Sequence, residues 1–208
     1  MKGEQGKSIE ENARQINDYI KNNNIDVHLM FGLSYGASIA FKILAMNQVA
    51  ISFVIDDGGY VCEKADLKTA KKWAGIMALF PLLRLFKRLM IKSLAKQLGQ
   101  DKSQKIYDKM FSLSNKTLAT EMYSFFSFTL PEDVRGVKTP IGLWYGEKEK
   151  EKIANSLYIK TRFPNVTVSI FSGYNHDDFF MGNTKEYIKE IYKWLEVVKG
   201  YGLGEVKR

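Results

Sequence analysis

Cysteine is almost missing from this chain. Cys62 is the single example among 208 residues, which excludes an intrachain disulfide and leaves no thiolate cluster for zinc. Cys62 therefore reads as a small packing residue. Histidine is nearly as scarce, with His28 and His176 the two present, so any imidazole chemistry must fall on one of them. No apolar run approaches the roughly 18 residues that a membrane span requires, and the opening Met1-Lys2-Gly3-Glu4-Gln5-Gly6-Lys7 is polar, so a cytoplasmic location is expected. There is no internal repeat and no low-complexity linker. Zinc-finger spacing, an RNP-like motif and a Gly-rich phosphate loop are all lacking, which argues against nucleic acid as a partner.

What is present is enough apolar residue, 45% of the chain, to bury a substantial core in one domain carrying an inserted subdomain. The net charge of +8 is local, because Glu63 to Lys105 holds eleven Lys and Arg against the three acids Glu63, Asp66 and Asp101. These cations interleave with Trp73, Ile76, Leu79, Phe80, Leu82, Leu83, Leu85, Phe86, Leu89, Met90 and Ile91. That is a basic amphipathic composition, from which a weak membrane-surface contact is expected.

Apolar periodicity orders the rest. Ser8 and Glu11 have capping-box spacing, and Ile9, Ala13, Ile16 and Ile20 recur at helical intervals, predicting a first helix from about residue 8 to 22. Short β-branched or aromatic runs follow at Val27 to Phe31, Ala50 to Ile55, Ile141 to Tyr145 and Val166 to Phe171, and they read as parallel strands covered on both faces. Helical patterns at Ala37 to Met46, Lys150 to Arg162 and Lys185 to Val198 alternate with them, the last with Tyr187, Ile188, Ile191, Tyr192, Leu195 and Val198 on one face. The fold class is α/β, a doubly wound and mostly parallel sheet. Residues 62–135 break the alternation with helical patterns and no clear strand, so they read as an inserted helical cap on a core of residues 1–61 and 136–208.

Gly32-Leu33-Ser34-Tyr35-Gly36 lies where the first strand gives way to a helix. A serine at the apex of so sharp a turn projects Oγ clear of the backbone, and the flanking glycines are expected to remove Cβ atoms that would clash. A serine hydroxyl is a weak nucleophile near neutral pH and needs a base, itself held by a third group. His28 falls inside the first strand, well below the serine, and is expected to pack or to lie at a surface edge. His176 follows the last strand in Ser172-Gly173-Tyr174-Asn175-His176-Asp177-Asp178, where a base can be placed. Glu147, Glu149 and Glu151 compete for the third role.

These segments resemble the α/β-hydrolase family. Gly32-Leu33-Ser34-Tyr35-Gly36 is similar to its nucleophile elbow, Thr139-Pro140 followed by Tyr145-Gly146 and Glu149 to its acid turn, and Gly173-Tyr174-Asn175-His176 to its histidine loop, in the order serine, acid, histidine. The resemblance puts the acid at Glu149, with Asp56 or Asp57 as a second candidate one strand earlier. It implies a serine esterase or lipase-like hydrolase acting on a small to medium apolar acyl ester through a Ser34-His176-Glu149 triad. The Tyr35 N–H would serve as oxyanion donor, and Trp73, Phe80, Leu83 and Phe86 would form an apolar substrate wall. No metal or organic cofactor is implied. The family places several strands ahead of the elbow, whereas 33 residues precede Ser34 here. The chain is thus expected to be an N-terminally short version of the fold, self-associated through the exposed edge of the elbow strand. The competing expectation is a catalytically incomplete fragment or a binding module.

Overall fold

A computed structural model describes residues 7–79, 86–98, 100–132, 134 and 136–200. In chain order it contains α1 (Ile9–Asn22), β1 (Val27–Leu33), α2 (Tyr35–Met46), β2 (Ile51–Asp57), α3 (Leu67–Ala78), α4 (Lys87–Leu98), α5 (Gln100–Ser112), α6 (Asn115–Ser127), β3 (Ile141–Gly146), α7 (Lys150–Arg162), β4 (Val166–Phe171), α8 (Asp178–Gly182) and α9 (Thr184–Gly200). The described residues fall into two compact units. One is helical and built around Asp66–Ser127, and the other joins Ile9–Ala65 to the chain from Phe128 onward.

In the second unit the four strands pair in the order β1-β2-β3-β4, all parallel. The strand alternation of two residues sorts side chains to opposite faces. Val54 of β2 and Leu143 and Tyr145 of β3 join a core with Ala40, Phe41 and Leu44 of α2 and Ile159 of α7. Phe53, Ile55 and Trp144 face the other way, onto Phe179, Tyr187, Trp194 and Val198 of α8 and α9. Helices therefore cover both faces, the α/β architecture expected.

The expectation that every strand is covered on both faces holds for β2 and β3 but not for β1 and β4. β2 and β3 are almost wholly buried. Apart from buried Gly32, the residues of β1 and β4 are half-buried or exposed, with Phe31 and Ile170 open to solvent. Both are outer strands, so each has a strand neighbour on one side only among the described residues. His28 lies exposed on β1 with its ring edge-on to Phe53.

The apolar stripe of α9 also differs from expectation. Ile188 and Tyr192 are exposed, and Trp194 is buried in their stead. Its indole Nε1–H donates to Thr167 Oγ1 at 2.9 Å, and its ring lies so close to Gly142 that a Cβ there would stand 2.8 Å from it. A large indole with a satisfied N–H seals the sheet better than the smaller side chains on either flank.

In the helical unit, Trp73 of α3 stacks on Phe126 of α6 with centroids 5.8 Å apart and planes at 12°. Phe86, just ahead of α4, is exposed. Phe80 and Leu83 lie outside the described residues. No helix among the described residues is long and apolar enough to cross a membrane.

Truncating Trp194 removes the side chain that closes one sheet face. Trp194→Ala is expected to destabilise the fold by about 3–5 kcal/mol, the usual range for a buried Trp or Phe reduced to Ala, measured as a fall in the midpoint of urea unfolding.

Candidate active site

The carboxyl ends of β1, β2, β3 and β4 bring Ser34, Gly58, Glu149 and His176 to one edge of the sheet, where open α/β sheets bind ligands. Ser34 sits between β1 and α2 with φ 54° and ψ −116°. A non-glycine residue seldom adopts this conformation, and it persists only where the surroundings impose it. Two features impose it here. The Ser34 N–H donates to the Asp57 carbonyl at 2.7 Å, one step past the β1–β2 ladder. A Cβ on Gly32 would stand 2.5 Å from Ala37 Cα, so only glycine lets α2 start so close to β1. Gly36 has no such role, because a Cβ there meets nothing within 4 Å. The expected need for both glycines is corrected to Gly32 alone.

His176 Nε2 lies 2.9 Å from Ser34 Oγ. On the other side of the ring, Nδ1 lies 2.8 Å from Glu149 Oε1. Glu149 is held by its own turn, since the Gly146 N–H donates to Oε2 at 2.8 Å and the Glu149 N–H donates to the Gly146 carbonyl at 3.0 Å. A Cβ on Gly146 would press within 2.6 Å of the Tyr174 carbonyl oxygen, so the acid turn and the histidine loop touch backbone to backbone. The Lys148 N–H donates to that same carbonyl at 3.1 Å.

The three competing glutamates separate by what they touch. Glu147 Oε2 accepts from Gly173 N–H at 2.7 Å and Ser172 Oγ–H at 3.0 Å, bonds that hold its carboxyl below the usual range. Glu151 is exposed. Burial alone would raise Glu149, but the contacts with His176 and Lys152 outweigh it and hold the carboxyl at about 2, ionised at neutral pH. Lys152, which sequence reasoning passed over, places Nζ 2.9 Å from Glu149 Oε1, 2.9 Å from His176 Nδ1 and 2.8 Å from the Gly58 carbonyl. Its spacing of three residues from Glu149 on one helical turn is the signal that could have found it.

The second candidate acids are engaged elsewhere. Asp57 Oδ2 accepts from Tyr187 O–H at 2.5 Å, and burial raises its carboxyl to about 6 even against that bond. Asp56 is fully buried, and its Oδ1 accepts from Gly59 N–H at 3.0 Å. Burial first, with the neighbouring Asp57 adding to it, pushes Asp56 up to about 8 although the Gly59 bond opposes the shift. Asp177, with a left-handed φ of 62°, sets Oδ1 3.4 Å from His176 Nε2.

Gly58 is the remaining element of the site. Its φ of +64° is left-handed, and a Cβ would stand 2.5 Å from His176 Cε1 and 2.6 Å from Nδ1. The imidazole thus lies flat against bare backbone. Beside it, Ser38 Oγ–H donates to the Tyr60 carbonyl at 2.9 Å and ties α2 to the turn after β2. The backbone N–H of Tyr35 stands at the first position of α2, where the helix dipole favours negative charge.

No family model and no curated protein matches the sequence. Solved structures do match the fold. An α/β-hydrolase family protein from Desulfitobacterium hafniense superposes with a TM-score of 0.70 at 14% identity, over 92% of this chain and 78% of that one. A thermophilic esterase from Thermogutta terrifontis gives 0.68 at 15% identity, over 93% and 74%. A bromoperoxidase from Bacillus anthracis gives 0.67 at 14% identity, over 94% and 77%. The chain has the α/β-hydrolase fold.

Two outcomes follow from the site's geometry. Gly58→Ala forces a left-handed alanine against an imidazole ring and is expected to cost about 1–3 kcal/mol in urea unfolding; equal stability would mean that the turn relaxes away from His176. Asp56 and Asp57 both bind protons more tightly folded than unfolded. Their stabilisation is complete below the ordinary Asp value of about 4 and is lost as pH rises, through about 6 for Asp57 and about 8 for Asp56. Asp56→Asn should therefore show a smaller loss of unfolding free energy between pH 5 and pH 8, as approximate test points, than the unaltered chain. An identical slope would remove Asp56 from this role.

Proposed function

We propose that the protein is a serine hydrolase, an esterase or lipase-like enzyme that cleaves a small to medium apolar acyl ester. The observation that carries this reading is the contact of His176 Nε2 with Ser34 Oγ at 2.9 Å, made by a serine in a strained backbone conformation with a buried carboxylate behind the imidazole. A plain turn serine has no need of that strain. The solved esterases of the same fold support the reaction class.

In the proposed cycle, His176 Nε2 takes the Ser34 proton as Oγ attacks the ester carbonyl, and Glu149 stabilises the imidazolium that forms. The Tyr35 N–H faces the developing oxyanion, with the helix dipole of α2 adding to it. The tetrahedral adduct then expels the alcohol, which leaves with the proton returned by His176, and Ser34 keeps the acyl group. Water, deprotonated by the same imidazole, attacks the acyl-enzyme and releases the acid. The preference for apolar acyl groups is proposed from the composition of residues 62–135.

Labelling with a fluorophosphonate, with mass mapping of the adduct, tests this directly. The unaltered chain should be labelled at Ser34, and Ser34→Ala should lose the label. Hydrolysis of a p-nitrophenyl ester should fall by about 10⁴-fold or more in His176→Ala, because members of such a set act as a unit. Glu149→Gln should cost more than Asp57→Asn. Retained turnover in His176→Ala, or the reverse ranking of the acids, would overturn the assignment.

A further inference from the structure

The helical unit carries the whole net charge of the chain. Asp66 to Ser127 holds twelve Lys and Arg against four acids, a net +8 that equals the charge of all 208 residues. Three of those acids are engaged within the unit. Asp66 Oδ1 accepts from the Thr69 N–H at 2.9 Å, Asp108 pairs with Lys87 at 3.5 Å and accepts from Gln104 at 2.8 Å, and Glu121 is half-buried, with burial raising its carboxyl. The cations therefore set the potential that this unit presents to a partner.

On α4 those cations stand beside apolar side chains that the fold leaves in water. Ile91 is the buried side of the helix, whereas Leu89 is 66% exposed and Phe86, three residues earlier, is 53% exposed. Arg88 and Lys92, four residues apart, are exposed next to them. Spacings of three and four put each pair on one side of a helix, so an apolar ridge and a basic ridge run in parallel. Adjoining the basic ridge is a cleft of about 510 Å³ lined by Lys87, Arg88, Ile91, Lys92 and Gln104, which gathers three cations into one recess. The outer face of α3 repeats the arrangement, with Ile76 and Leu79 exposed beside Lys68 and Lys72. Six residues separate Leu79 from Phe86, so the two apolar pairs lie within about 25 Å of each other even on a fully extended connection.

The pairing of the two ridges selects the partner. A nucleic acid takes cations at its phosphates, but exposed aliphatic tips add nothing to phosphate contacts. An anionic lipid surface takes both, the cations at headgroup phosphates and the apolar tips a little deeper, at the boundary with the acyl chains. We propose that the helical unit docks on an anionic lipid bilayer through the exposed face of α4, with Phe86 and Leu89 entering the headgroup layer and Arg88 and Lys92 at its phosphates. A helix of 12 residues lies along such a surface rather than across it. The inference is independent of the roles given to Ser34, His176 and Glu149.

Co-sedimentation of the full chain with vesicles reads this contact. The expected result is binding to phosphatidylcholine vesicles that contain phosphatidylglycerol and little binding to phosphatidylcholine alone. Binding should fall as salt rises from about 0.05 to about 0.5 M, because screening shortens the reach of the cations. Arg88→Gln with Lys92→Gln should weaken it about 30-fold, the effect of two charges lost near an anionic surface. Phe86→Ser with Leu89→Ser should weaken it about tenfold or more, through the apolar area withdrawn from the interface. Lys189→Gln with Lys193→Gln removes the same charge from exposed positions on α9, in the other unit, and should leave binding unchanged. Leu89→Gln alone is read the same way if the serine pair does not fold. Absence of binding to the anionic vesicles at low salt overturns the proposal, as does an equal loss from the α9 pair, which would make net charge the cause. A serine pair that binds as the unaltered chain does would also overturn it, leaving a polyanion surface of the kind that nucleic acid fits.

Discussion

One backbone hydrogen bond organises this site: the Ser34 N–H donating to the Asp57 carbonyl at 2.7 Å. It adds a rung to the β1–β2 ladder at the point where β1 should already have ended, and the chain must then turn into α2 with no residue to spare. Ser34 absorbs the turn at φ 54°. Remove that rung and the serine can relax to ordinary dihedrals, carrying Oγ away from the imidazole. The same rung explains Gly32, since a helix launched so abruptly returns its first turn onto the strand it left.

A second organising constraint is electrostatic. Asp56, Asp57, Glu149 and Asp177 crowd the carboxyl ends of the strands, and Glu149 alone among them is held below the ordinary carboxylate range. Burial is the largest cause raising the other three, and in a site of low dielectric each carboxylate disfavours charge on its neighbours. Lys152 supplies the positive charge that favours the ionised form of Glu149, and His176 adds a second contact to the same carboxylate. The fold therefore favours the ionised form at the carboxylate beside Nδ1 and disfavours it at the other three, Asp177 beside Nε2 included.

Much of this was legible in the residues themselves. α7 and β4 begin and end where their patterns do, at Lys150–Arg162 and Val166–Phe171, because each is a clean run bounded by a turn. Ser34 and His176 stood out as local features, a strand-turn-helix serine and a loop after a strand, whereas the resemblance singled out Glu149 from three glutamates, and the structure brings the three side chains together. What was missed depends on neighbours distant in sequence. Whether β1 or β4 lies at an edge is a property of the sheet order, and Trp194 outranks Ile188 and Tyr192 because Gly142, on another element, leaves room for an indole. α8 has five residues, too few for a period to show. Lys152 looks like one more lysine in an alternating Lys-Glu run until the fold lays His176 over it.

The brace made by Glu147 has a mechanical meaning. It holds Ser172 and Gly173, while Lys148 and Gly146 meet the backbone of Tyr174, so the loop after β3 and the loop after β4 are fastened side by side. Glu149 and His176 ride on that joined piece, whereas Ser34 rides on the β1–α2 corner. The three groups thus belong to two bodies rather than three. A displacement of that corner against the joined piece would leave the acid-to-imidazole spacing unchanged and would fall on the gap between Nε2 and Oγ. That gap is the one that must open to admit a carbonyl carbon and close again to pass a proton.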